Sequence, residues 1–459
     1  MLAKLWSASS TSDDVDAMRV IVVPIALFAL LLGGLRQYLL SSKKLKHLQN
    51  VEIKAESNLH DETDTGYDKA EDDATPGSVR IKALCIHPIK SCRPIEVKRA
   101  LLTKTGFAYD RYFSFATEKT PGDWRFISQR TKPGMALIEQ QLWLPHADSD
   151  PEHESVKSAG CLVVSFPDPD PPSILARATA ALEKGQWSAQ SQVSFTIPLK
   201  PTAEQIDKWD LRIKSFGVQE RKSSGLDYSD IPAVAAVLPK LKRYLQIPER
   251  ENLTLIACTP DTFAPADTNL APLEHIGTPA TLCYTDEQPV HIINLPSVHA
   301  ASKLLPLENQ PLSARRFRPN IFVTGAPAYS EETWKRFRVL SRGTKIKAST
   351  PSMSVVCRTA RCTMPNVEPH TGHISYEDPP PGRKRGKPQP STTLVEHRMV
   401  EDKQVNPIAL GYMGVHCVIE DSTFGNSAGG NDEVYVEVGD EVEVFETGTH
   451  HWGSTAHDY

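Results

Sequence analysis

The residues best suited to chemistry fall in one run, 355–372, which reads VVCRTARCTMPNVEPHTG. Arg358 and Arg361 lie close to Cys362 in sequence. A nearby guanidinium favours the thiolate, which is both the nucleophilic form of cysteine and the form that ligates metals. A thiolate also suits a soft transition-metal centre. Two other readings stand beside this one. Cys357 and Cys362 can be a pair of buried, inert thiols. Alternatively, Cys357, Cys362, His370 and His373 can hold zinc, although their spacings fall outside the common C-x(2–4)-C and H-x(3–5)-H forms.

Three further polar clusters interrupt apolar runs: HPIKSC at 87–92, YDRYF at 109–113 and RRFRPNIFV at 315–323. Each places a cation beside a strand-like segment. Taken singly, each is a strand-end cation facing water. Taken together, Lys90, Arg111 and Arg318 suit an anionic ligand, since Arg binds phosphate through two parallel hydrogen bonds and Lys binds it as a point charge. No GxxxxGK[ST], GxGxxG or HExxH motif is present and no G-x-S-x-G nucleophile elbow is expected, which weakens nucleotide-hydrolase, dinucleotide-binding, zincin and esterase readings.

The elements that must position these residues are mostly strands. Residues 79–86 alternate and then run apolar up to His87-Pro88. Short strands are expected at 162–166 and 193–197. The alternation of Val434, Val436 and Val438, a Gly439-Asp440 turn and then Val442 and Val444 predicts an antiparallel hairpin. Helical patterns are few: 231–245, with Asp230 as N-cap, and 297–305. The Pro-rich stretch 378–390 and the Gly-rich stretch 425–432 read as surface-loop insertions. This balance predicts a β-rich α+β protein built on barrels rather than a doubly wound sheet.

The chain has 459 residues, with Lys+Arg 51 against Asp+Glu 56 and a net charge of -5. Its 40% hydrophobic content excludes a wholly disordered protein, and the mild acidity argues against a nucleic-acid partner. Eight irregularly spaced cysteines point to a reducing compartment. Residues 20–35 carry no charge, and Leu39 and Leu40 extend the run past Arg36. Acidic residues precede this run and Lys43, Lys44 and Lys46 follow it. The expectation is a membrane anchor over 1–45, with its helix at about 20–40 and the body facing the cytosol. The acidic stretch 46–78 is expected to be a disordered tether. Domains are then expected at 79–225 and 226–448, the second carrying a Pro-rich insertion at 377–393, with a tail at 449–459.

HPIKSC and YDRYF resemble segments of the MOSC-associated N-terminal β-barrel domain. RRFRPNIFVTG and RCTMPNVEPHTG resemble the MOSC domain that follows it. With the anchor, the layout resembles the amidoxime-reducing components of the outer mitochondrial membrane. The resemblance implies two β-barrel domains and a molybdenum–molybdopterin cofactor. It places Cys362 on the molybdenum-ligating, catalytic cysteine. It places Lys90, Ser91, Arg111, Asp286, Arg318, Asn320 and Arg361 on cofactor contacts. It further implies reduction of small N-hydroxylated substrates by oxygen-atom removal, with electrons from a b-type cytochrome and its NADH-dependent reductase. The endoplasmic reticulum is the alternative location. The chain departs from the family at Thr359, where a Cys is common, and at Glu287 and Gln288, where small polar residues are expected. MOSC domains also occur in molybdenum-cofactor sulfurases, so a non-catalytic cofactor or sulfur carrier is the rival reading.

Overall fold

The computed structural model describes residues 45–53, 55–69, 79–170, 191–219, 221–341, 350–401, 409–425, 433–450 and 453–454. Two closed sheets dominate. In the larger, Arg80–Ile86 pairs antiparallel with Ile321–Thr324, which runs parallel to Val290–Asn294. The ladder continues through Gly411–Ile419, Ser352–Arg361, Trp334–Leu340 and Glu441–Thr447. It closes where Arg80 meets Glu441. The smaller barrel joins Phe113–Thr120, Asp123–Phe126, Ile213–Val218, Arg221–Asp227 and Asn252–Ala257. The expected β-rich, two-barrel architecture is present.

Burial explains why the central strands look uninterrupted in sequence. Every residue of Gly411–Ile419 and of Val290–Asn294 is buried, as expected for strands covered on both faces. The chain contributes Arg80–Ile86 to the large ring, leaves to build the small barrel, and returns to complete the ring. The segments 87–92 and 109–113 lie along that path, between the two closed sheets.

Three expectations are corrected. The acidic stretch is not a free tether over its described part. Leu48–Asn50 pairs with the strand Glu139–Pro145, and Leu59 is buried with Ala83, Cys85 and Phe322. Its carboxylates meet donors one by one: Asp61 pairs with Lys82, Asp68 with His299 and Lys303, and Glu62 accepts from Ser313 Oγ and the Ala314 N–H. Composition showed the charge but not these partners. The second correction concerns the expected C-terminal hairpin. Both strands and the left-handed Gly439 exist, but Tyr435–Glu437 pairs with Arg99–Thr103, and Glu441–Thr447 with Trp334–Leu340. Alternation reports which face is buried, not which strand lies alongside. The third concerns the helix expected over 231–245, which is two short helices, Pro232–Ala235 and Leu238–Tyr244, with Ile231 rather than Asp230 as N-cap. Pro239 falls in the first turn of the second helix, where its missing N–H costs nothing. The anchor helix lies outside the described residues. Among the described residues no helix is long and apolar enough to cross a membrane.

Candidate functional site

The loops 87–92 and 109–113 are stitched together by main-chain hydrogen bonds. The Lys90 N–H donates to Phe113 O at 2.8 Å, Phe113 N–H to Pro88 O at 2.9 Å, and Arg111 N–H to His87 O at 2.8 Å. The Arg111 carbonyl in turn accepts from the Tyr284 N–H at 3.0 Å, which brings the segment carrying Asp286 alongside. From the large ring, Asn320 N–H donates to His291 O and Asn320 O accepts from the Cys85 N–H. Four stretches distant in sequence therefore share one seam.

The side chains follow from that seam. Lys90 is 3% exposed; its Nζ donates to Tyr284 O at 2.8 Å and pairs with Asp286. Burial lowers the Lys90 ammonium while Asp286 opposes that shift. Desolvation acts to raise Asp286, yet the Lys90 ammonium and the Gln219 amide hold its carboxyl well below the usual range. Arg111 pairs with buried Asp110, donates to Asn320 Oδ1 at 3.1 Å and to Arg318 O at 2.9 Å. Burial acts to raise Asp110, but Arg111 and His87 bring it down to about 2. His87 is fully buried, and its Nδ1 lies 3.4 Å from Asp110 Oδ1. Its imidazole is held well below the ordinary range by burial, then by Arg111 and Arg318.

Several of these residues sit on unusual backbone. Ser91, Arg111 and Arg318 have φ of 67°, 48° and 54°. The left-handed region costs a residue with a β-carbon on the order of 1–2 kcal/mol. Arg318 takes it where it closes the 3-10 turn Ala314–Phe317, a position that usually favours Gly. Strain of this kind persists where the surroundings over-determine it, and it concentrates at functional sites.

The polar groups here are also incompletely satisfied. Ser91 Oγ, Arg318 NH2, Arg361 Nε, Thr359 Oγ1, Thr285 Oγ1 and His291 Nε2 are buried without a hydrogen-bond partner. Arg361 donates to Phe317 O at 2.9 Å and lies over the Phe317 ring. Burial lowers the Arg318 guanidinium to about 10, with Arg111 pushing the same way. Burial brings Arg361 to about 10 as well, against the pull of Cys362 and Asp286. Arg318 further lines a pocket with Arg93, Arg315, Arg316, Gln129 and His370. Asn320 differs from the other cations' neighbours: its amide is spent inside the protein, accepting from Arg111 and the His291 N–H and donating to Cys85 O.

Cys362 is the first residue after the strand Ser352–Arg361. It is half-buried and free, and its Sγ accepts the Met364 N–H at 3.4 Å. The four-ligand zinc reading fails. His370 and His373 are exposed, and Cys357 is buried facing Glu287 and His416 instead. The inert-pair reading fails for Cys362, which is not buried. A G-x-S-x-G spacing does occur at 425–429, but Gly425 follows the 3-10 turn Asp421–Phe424 rather than a strand, unlike a nucleophile elbow. Residues 426–432 lie outside the described residues.

Sequence reasoning therefore named the cations and Cys362, and the structure gathers Lys90, Ser91, Arg111, Asp286, Arg318 and Asn320 at the seam. Arg361 joins them electrostatically, since its guanidinium feels Asp286, Arg111 and Cys362. It missed His291, Thr285 and His416. The only available signal for His291 was a lone imidazole inside the apolar strand Val290–Asn294.

Comparison with known proteins finds two family matches in the chain. Residues 78–209 match the MOSC N-terminal beta barrel domain, and residues 279–443 match the MOSC domain. Mitochondrial amidoxime-reducing component 1 of Xenopus laevis is 23% identical over 303 residues, covering 65% of this chain and 68% of that protein. The Danio rerio protein of the same name is 23% identical over 336 residues, covering 72% and 78%. Molybdenum cofactor sulfurase of Oryza sativa subsp. japonica is 22% identical over 382 residues; that is 82% of this chain but 35% of the sulfurase.

Proposed function

The chain is a MOSC-domain protein that resembles the mitochondrial amidoxime-reducing components, and from that premise we propose that it holds a molybdenum–molybdopterin cofactor and reduces N-hydroxylated compounds. The observation that carries the reading is the set of buried, unbonded polar atoms at the seam, to which Arg361 ties Cys362 electrostatically. Four cations, Lys90, Arg111, Arg318 and Arg361, face two carboxylates, Asp110 and Asp286, and Ser91 Oγ, Arg318 NH2 and Arg361 Nε remain unused. An unpaired buried donor costs about 1–3 kcal/mol. A phosphate-bearing, heteroatom-rich anion removes that cost, so the residues fit the group.

In this reading Lys90, Ser91, Arg111 and Arg318 bind the anionic part, while Asp286 fixes the Lys90 ammonium. Asn320 orients Arg111. Arg361 holds positive charge beside Cys362, whose thiolate is the protein's ligand to the metal. When bound, the cofactor supplies two-electron oxygen-atom chemistry. The chain supplies orientation, desolvation and access. Electrons come from a b-type cytochrome and an NADH-dependent reductase. The run 20–35 anchors the body at a membrane, the outer mitochondrial membrane in preference to the endoplasmic reticulum. A protease added to the cytosolic side should then remove the body from intact organelles, and protection would reverse that topology.

The sulfurase match favours a second reading, in which the chain carries cofactor or sulfur without turnover. Bound molybdenum alone does not separate the two. Turnover of an amidoxime by purified chain with a reconstituted cytochrome and reductase does. Activity dependent on both donors supports the reductase, and a fully loaded protein without turnover supports the carrier.

A further inference from the structure

Beyond the cofactor seam, one group of ligand-type side chains has no role in the reading above. Glu287, Cys357 and His416 bring a carboxylate oxygen, a thiol sulfur and an imidazole nitrogen within 4.8 Å of one another, and Cys362 is not among them. Among the described residues no other group of three His, Cys, Asp or Glu side chains meets that condition. Cys357 Sγ lies 3.5 Å from Glu287 Oε1 and 3.9 Å from His416 Nδ1, and His416 Nδ1 lies 3.2 Å from Glu287 Oε2.

These separations have a geometric meaning. Zinc–ligand distances of about 2.3 Å to sulfur and about 2.0–2.2 Å to nitrogen and oxygen, at tetrahedral angles, put ligand atoms roughly 3.3–3.6 Å apart. The 3.5 and 3.2 Å contacts end on different oxygens of the Glu287 carboxylate, so no single oxygen makes both; taken one atom per residue, the three ligand atoms lie within 4.8 Å of one another, and a bound ion would draw them in from there.

The fold builds the triangle deliberately. Cys357 and His416 lie directly opposite on the paired strands Ser352–Arg361 and Gly411–Ile419, and the register shifts between Val355 and Cys357. Val355 pairs with Cys417, so without the extra residue His416 would face Val356. The bulge re-aims Cys357 onto the imidazole, as bulges near functional sites do. The third side chain is held from behind: Asn269 Nδ2 donates to Glu287 Oε1, and Asn269 Oδ1 accepts the Gly453 N–H at 2.6 Å. An outer partner of this kind is what orients metal ligands.

We propose that Glu287, Cys357 and His416 form a second metal site, distinct from Cys362, for a divalent cation of the zinc class. Binding takes the Cys357 proton to solvent. The thiolate and the Glu287 carboxylate then balance the dication, and His416 binds through Nδ1 as a neutral imidazole. Three protein ligands are the number found where a fourth position is left for water or a small ligand.

The test is a Co²⁺ titration of the full chain, read by optical absorption, with zinc, molybdenum and pterin quantified on the same sample. The site predicts a thiolate-to-cobalt charge-transfer band that saturates at one equivalent and is displaced by Zn²⁺. The band should persist in Cys362→Ser and vanish in Cys357→Ser. Glu287→Gln and His416→Gln should each weaken cobalt affinity roughly tenfold or more; these two variants keep the test open if Cys357→Ser does not fold. No band in the wild type, or a band that survives in Cys357→Ser or is lost in Cys362→Ser, overturns the proposal. The molybdenum and pterin content reports on the cofactor reading separately.

Discussion

Two sets of arginines in the same protein are handled in opposite ways. On the strand Trp334–Leu340, Arg336 forks onto Glu420 with bonds of 2.8 and 2.9 Å, and Arg338 forks onto Glu443 with bonds of 2.7 and 2.9 Å. Those hydrogen bonds raise both guanidinium pKa values. At the seam, Arg318 and Arg361 are lowered to about 10, chiefly by burial, and each keeps a buried nitrogen without a partner. The first set is a finished interaction between strands. The second is charge held in readiness, on left-handed backbone at Arg318, with no carboxylate forked to it. Under the proposed function, the difference separates a cation that serves the fold from one that serves a ligand.

The largest effect that tests this difference belongs to the thiol beside the unpaired set. Cys362→Ser replaces a soft ligand by a hydroxyl that stays protonated, so turnover of an N-hydroxylated substrate should fall at least about a hundredfold. Pterin should largely remain, because its proposed contacts lie elsewhere. Paramagnetic resonance of molybdenum at matched pterin occupancy checks it: an unchanged spectrum would remove Cys362 as the ligand.

Lys90→Ala, Arg111→Ala and Arg318→Ala each remove a charge-assisted hydrogen bond of about 1.5–3 kcal/mol, equivalent to roughly tenfold to a hundredfold in retention. Pterin released after dialysis of each variant is the measurement. Retention equal to wild type in all three would return them to ordinary strand-end cations.

Stability should move the opposite way in the two sets. Below about pH 10 a buried guanidinium with lowered pKa stays charged at a cost in the folded state that the unfolded chain does not bear. Replacing it by an apolar side chain of similar length should therefore stabilise the cofactor-free protein, by roughly 1–3 kcal/mol for Arg318→Met. Arg338→Met breaks a well-formed but partly exposed pair and should destabilise by only about 0.2–1 kcal/mol. Urea midpoints of the two variants, without cofactor, give the sign directly; the same sign in both would collapse the comparison.

A smaller effect comes from acid. His87 and His291 are buried with pKa values well below the unfolded one near 6.5, in both cases first through burial. Below that pH the unfolded chain takes up protons that the folded state refuses, so stability falls as pH drops below about 6.5. Asp110, lowered to about 2, adds a further loss only as pH falls from 3.8 through that value. His87→Gln should flatten the unfolding free energy between pH 6.5 and 5, measured by urea titration at each pH.

The contrast also shows what the sequence could and could not carry. Lys90, Arg111, Arg318 and Cys362 stood in short, unusual segments that exposed them, whereas the lack of partners for Arg318 and Arg361 is a property of packing. The forked Arg336–Glu420 pair spans 84 residues and Glu287–Cys357 spans 70, so no local pattern announces either. Cys357 meets His416 only because of a strand bulge. Strand faces were legible from alternation at 79–86 and 434–444, but partners were not, and the second pair of strands goes to two different sheets. The acidic stretch misled because solvation is the default for a charge run, and the cations that dock it come from Lys82, His299, Lys303 and Arg315.

The most direct test of the account is molybdenum and pterin content in three preparations purified side by side from cofactor-producing cells: the full chain, Arg338→Ala and Arg318→Ala. The account predicts equimolar molybdenum and pterin in the first two and loss of most of both in the third. A full chain carrying neither, or equal content in Arg338→Ala and Arg318→Ala, would contradict the claim that the unpaired cations are a cofactor cradle.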